Sequence, residues 1–169
     1  MRAWQWRLIG VLTLGGSFLG AVASLMTIIN GGNNLLSLLI VAVFIGLYAW
    51  GVWCGVRILE RSVDSLRRGI LFWAFQIPYL TSPLLSYQFS SGAQATVAVQ
   101  SADPALLWTV QVGSHFAATV LRPAAWGIGI NLLALAATIF LSLKYRSLSR
   151  REDVVETELA PAEPEAAAS

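Results

Sequence analysis

The sequence predicts an all-α integral membrane protein. It should have four transmembrane helices arranged as two helical hairpins, with a small β-like extracytoplasmic insertion between helices 3 and 4. Three observations lead there. The 169 residues are 56% hydrophobic and 12% charged, with a mean hydropathy of +0.66, whereas soluble domains carry roughly 25% charge. A chain this short keeps too much surface to hide that much apolar area from water. Several runs are long and apolar enough to cross a bilayer, and the basic residues fall between them in a one-sided pattern.

A spanning helix needs about 20 apolar residues, because each adds about 1.5 Å across a core about 30 Å thick. Residues 8–29 and 35–56 satisfy this without a charge. The intervening Asn30-Gly31-Gly32-Asn33-Asn34 is built from residues that tolerate left-handed backbone angles and reads as a tight turn. The third span, residues 70–85, is shorter and contains Gln76, Pro78 and Pro83. Pro78 should kink it, and Gln76 is placed to satisfy the backbone group that the proline frees. The fourth span is residues 124–143, with Pro123 at its first turn.

Ten of the eleven basic residues fall on one side of this four-span arrangement. Arg2 and Arg7 precede the first span, Arg57, Arg61, Arg67 and Arg68 follow the second, and Lys144, Arg146, Arg150 and Arg151 follow the fourth; Arg122 alone lies opposite. Positive charge is retained on the cytoplasmic side, so both termini are expected there, in a bacterial inner membrane. Ala21-Val22-Ala23 before Ser24 resembles a signal-peptidase site. The apolar run continues past it to a full spanning length, so retention of the first helix is expected, with cleavage as the alternative.

The membrane domain thus covers residues 1–148, with an insertion at 86–122. In that insertion apolar residues alternate with polar ones over 94–100 and again over 108–121. Period-two alternation marks half-buried strands, and Ser101-Ala102-Asp103-Pro104 supplies a turn. A hairpin is expected there, with a third strand near 87–90; a surface amphipathic helix is the alternative. Residues 149–169 are rich in Glu, Ala and Pro, a composition that predicts a disordered acidic cytoplasmic tail.

Candidate functional residues are few. Gly16 with Gly20, Gly51 with Gly55, and Ala125 with Gly129 are small residues four apart, the spacing that lets helix backbones approach in lipid. Gln76 and Asn131 are the strongest polar side chains within the spans, and no span contains a charge, the usual mark of a transport path or proton relay. His115 is the only histidine and Cys54 the only cysteine. A metal site or a catalytic triad needs partners these lack, and Ser114 and His115 point to opposite faces of a strand. No catalytic, metal or cofactor-binding residue is assigned and no cofactor is expected. The expected partners are the lipid bilayer and a second copy or another membrane protein, with no nucleic acid. The expected function is non-enzymatic assembly within the membrane. An oligomeric small-solute transporter or channel is the first alternative and a membrane enzyme acting on lipid or quinone the second.

Overall fold

The structure is a computed structural model, and it describes residues 3–30, 34–60, 63–120 and 124–159. Helix α1 spans Ala3–Ile29, α2 Leu35–Leu59 and α3 Val63–Ala74. Strands β1 Pro78–Thr81, β2 Leu85–Ser90, β3 Ala93–Gln100, β4 Leu106–Val112, β5 His115–Val120 and β6 Gly127–Asn131 follow, and α4 Leu132–Leu159 is the last described element. The strands form one six-stranded sheet in the order β4-β3-β6-β1-β2-β5, antiparallel at every pairing.

The fold is therefore mixed α and β, which corrects the all-α expectation. Among the described residues three helices are long and apolar enough to cross a membrane: 4–29, 35–59 and 132–150. The expected third span, 70–85, is a short helix that ends at Ala74 and passes into β1 and β2. Pro78 is the first residue of β1, a place where a strand tolerates the missing donor. The expected fourth span, 124–143, begins as β6, and its helix starts only at Leu132. Gly127-Ile128-Gly129-Ile130 has a period of two, which summed hydropathy cannot register. The insertion is likewise larger than a hairpin, because strands from both flanking segments join it. Residues 31–33, Arg122, Pro123 and the tail beyond 159 lie outside the described residues, whereas residues 149–159 continue α4 rather than leaving it at 149. The Arg, Glu and Leu residues of this stretch extend an existing helix at little cost.

Helices α1 and α2 pack along matching stripes. Trp6, Gly10, Thr13, Ser17, Gly20 and Ser24 are buried on α1, and Val41, Phe44, Tyr48, Gly51, Cys54 and Ile58 on α2. Steps of three and four keep one face turned to the neighbour. Apart from Trp6 the α1 stripe is small, and two of its hydroxyls bond their own helix: Thr13 donates to Ile9 O at 2.7 Å and Ser24 to Gly20 O at 2.8 Å. Asn34 caps α2, accepting from Ser37 N at 2.7 Å.

At one end of this pair Leu59 lies against Gly10, and Ile58 meets Gly69 of α3, which also faces Leu141 of α4. From there α3 climbs to the middle of α1, where Trp73 Nε1 donates to Thr13 Oγ1 at 3.1 Å. The chain then continues upward as β1, and β6 descends beside it into α4. Two segments, α3 with β1 and β6 with α4, thus each combine a helix and a strand. The sheet occupies the upper half of the molecule. Phe89 and Phe116 pack on Phe44 and Tyr48 of α2, with centroids 4.8–6.3 Å apart.

Candidate functional site: a half-barrel with a polar interior

The sheet is strongly curled. Strands β2 and β3 are separated by β1 and β6, so a flat sheet would hold them about 14 Å apart at 4.8 Å per strand. Yet Gln88 of β2 donates to Gln94 Oε1 of β3 at 3.2 Å, and Gln94 donates to Gln111 Oε1 of β4 at 2.7 Å. The two edge strands, β4 and β5, are joined through Gly113 and Ser114 without pairing with each other. The result is a half-barrel whose wall is interrupted between β4 and β5.

Alternation sorts the residues cleanly between its faces. Gln88, Gln94, Thr96, Thr109, Gln111 and His115 share the concave face with Tyr79 and Leu107, around a cavity of about 160 Å³. Gly127 and Gly129 of β6 fall on this face too. A Cβ on Gly129 would collide with Val97 O and the Ala98 side chain, and one on Gly127 would lie 2.6 Å from Thr81 Oγ1. Glycine is thus what lets the wall bend here. The convex face is apolar: Val99, Leu106, Trp108, Val110, Val112 and Ile128 are between 59% and 92% exposed. Water-facing sheets hide their apolar face; this one presents much of it.

The lower tip of the half-barrel is anchored at mid-height of the helix pair. Ser91 Oγ and Ser17 Oγ are 2.9 Å apart. Tyr48 donates to Ser90 O at 3.1 Å. Ser114 Oγ donates to Gly16 O and accepts from Gly92 N at 3.2 Å. Gly92, at φ +86°, lies where a Cβ would come within 2.8 Å of Leu12 O, so both the angle and the space demand glycine.

The glycines singled out in the sequence are filled from within the chain. Gly16 receives the Ser91-Gly92 turn, Gly20 the Tyr48 ring, and Gly51 the Ser17 hydroxyl and Phe72 ring; a Cβ on Gly55 would lie 2.6 Å from Leu14 N. Ala125 is exposed and Gly129 lies in β6, so this third pair is not on a helix. Gln76 and Asn131 stand at the two helix–strand junctions. Gln76 Oε1 accepts from Ser91 N at 2.8 Å, and its Nε2 donates to Phe72 O at 3.3 Å. Asn131 N donates to Ile77 O at 2.8 Å, and its Oδ1 accepts from Ala95, Leu133 and Ala134 at 3.1–3.3 Å. Asn131 therefore caps α4 while tying it to β3. Its Nδ2 is buried without a partner.

Sequence reasoning missed Gln88, Gln94 and Gln111 as a group. Their common position on one face of alternating strands was readable, but their convergence depends on the curl. Among the described residues no three His, Cys, Asp or Glu side chains are grouped to hold a metal. Compared with protein-family models, curated proteins and solved structures, the chain matches none.

Proposed function

We propose that this is a multi-pass membrane protein that acts by assembling with another membrane-embedded chain, a second copy of itself in the first instance. The observation that carries this reading is the pair of unpaired strand edges, β4 and β5, bordering the gap in the half-barrel. Strand edges leave backbone donors and acceptors free, and in lipid such groups must be satisfied by protein. The glycine faces of α1 and α2 are occupied internally, so assembly falls to the sheet.

The bilayer setting is supported by the outward apolar surfaces of α1 and α2, among them Val11, Phe18, Leu25, Leu39 and Val43. A cytoplasmic orientation for the lower end is supported by its charges. Arg57 and Arg68 both lie over the Trp53 ring, at 5.8 and 4.6 Å. Arg7 is near the same end of α1, and α4 leaves there carrying Lys144, Arg146 and Arg150. With α3–β1 and β6–α4 each counted as one passage, the start of α1 and the end of α4 fall on this basic side.

The test is the mass of the purified protein in mild detergent, with a photo-crosslinking residue at Val110 or Val120 on the edge strands. A multiple of the 18.2 kDa chain with crosslinks between copies is expected. A single-chain mass with no intermolecular adduct in native membranes removes the reading. A second reading, a path for a small neutral solute, has the Gln and Thr side chains that line the half-barrel cavity in its favour.

A further inference from the structure

We infer that the half-barrel is sunk into the outer leaflet, with its convex face against lipid acyl chains, rather than standing in water above the membrane. This rests on reading α1 and α2 as membrane-spanning helices, and it adds where the sheet lies relative to them.

The first argument is height. The tip at Ser91 and Gly92 touches Ser17 and Gly16 in the middle of α1. From Ser17 to Ile29, α1 rises about 18 Å at 1.5 Å per residue. From Val112 to Leu106, β4 rises about 20 Å at 3.4 Å per residue. Strand and half-helix therefore cover the same level. At the upper end Val120 of β5 shares a groove with Thr27 and Leu36, near the α1–α2 connection. A bilayer that covers α1 from end to end also covers most of the sheet.

The second argument is polarity. In a water-facing sheet the apolar side chains turn toward the protein. Here Gln88, Gln94 and Gln111 turn inward and bond one another, while Trp108, Val110, Val112 and Ile128 turn outward and are mostly uncovered. Apolar-out and polar-in alternation is the pattern of strands that face hydrocarbon. The exposed row on β4 and its neighbours, Val99, Leu106, Trp108, Val110, Val112 and Ile128, is also apolar throughout, as surfaces that meet a membrane or a partner are. Acyl chains cover such a face without specific contacts, and the same chains meet Leu39 and Val43 on α2 at this height.

Single-cysteine labelling in lipid vesicles tests the placement. The full chain carries Cys54→Ala and one cysteine at Val43, Val110, Val112, Leu106 or Asp103, each labelled with an environment-sensitive fluorophore. Quenching is compared between nitroxide-bearing phosphatidylcholine and iodide supplied to both sides. The Val43 and Val110 labels should be quenched several-fold more by lipid than by iodide, and the Asp103 label in the 101–105 turn by iodide. Nitroxides near the chain ends should favour Val112 over Leu106. If the Val43 label reports lipid while the Val110 label reports iodide, the helices span but the sheet stands in water, and this inference falls alone. If the Val43 label also reports iodide, the membrane reading itself falls. A reversed depth order for Val112 and Leu106 overturns the proposed orientation.

Discussion

Single residues set how closely the parts approach. Gly51 and Gly55 each occupy a place where a side chain would strike a neighbour: the Ser17 hydroxyl and Phe72 ring for one, the Leu14 backbone for the other. Overpacking costs about 1–3 kcal/mol, so Gly51→Leu and Gly55→Leu should each lower the melting temperature in detergent. A Cβ added to Gly15 or Gly46 would meet nothing within 4 Å, and Gly15→Leu and Gly46→Leu should melt like the parent. Equal melting of all four variants would show that the α1–α2 contact is looser than described. Asn131 works differently, through Oδ1 on three backbone donors. Asn131→Ala removes the α4 cap and leaves Ala95 N unpaired, a loss of about 1–2 kcal/mol. Chemical denaturation of the two proteins side by side gives the difference. Glycine spacing made the first pair of sites legible. The role of Asn131 was not, because a cap is recognisable only once the helix start is known, and hydropathy placed that start eight residues too early.

Among the elements, the turns at the bottom of the sheet carry the join between sheet and helices. Gly92 and Gly113 both have positive φ, at +86° and +122°, but only Gly92 is crowded, by Leu12 O. Gly113→Ala should cost about 1 kcal/mol from backbone strain. Gly92→Ala adds a clash with α1 to the same strain and should cost clearly more. Thermal melting ranks them, and an equal effect would mean that the Gly92 turn does not press on α1. Strand β3 was legible because its two faces meet different surroundings, so apolar and polar residues alternate; the second alternating run, 108–121, is two strands, β4 and β5, parted at Gly113 and Ser114. The segment 75–85 hid its strands because proline, tyrosine and leucine dominate it, and its apolar content passes for a helix when averaged. Gln76, Pro78 and Pro83 were the signals against that helix.

For the molecule as a whole, the division of charge depends on the number of end-to-end passages, not on the kind of structure that makes them. If α3 with β1 and β6 with α4 each make one passage, the proposed arrangement keeps four of them. The topology expectation therefore stands apart from the fold class: a reporter fused after Ser169 and one inserted in the 101–105 turn should read opposite compartments. The same compartment for both would exclude the basic-end-inward arrangement. Hydropathy registers where a chain is apolar, and so it pointed to the three helices that are long and apolar enough to cross a membrane, the last of them eight residues early. It is blind to period, and so it missed the half-barrel and the polar interior that the curl creates.

The position of β6 bears on how the protein is made. This strand is the last to leave the ribosome, yet it lies between β1 and β3, pairing Pro78 with Ile130 and Thr96 with Asn131. Until it arrives, β1-β2-β5 and β3-β4 are two unjoined ribbons, linked at their lower turns and open along the line where β6 will fit. The α1–α2 hairpin, whose contacts are close in sequence, is complete long before. Synthesis therefore passes through an intermediate with a finished helical half and an unsealed sheet, whose bare inner edges are open to mispairing. Arrival of the β6–α4 segment closes that seam and caps α4 through Asn131 in one event, so the two halves of the sheet are sealed only when this segment emerges.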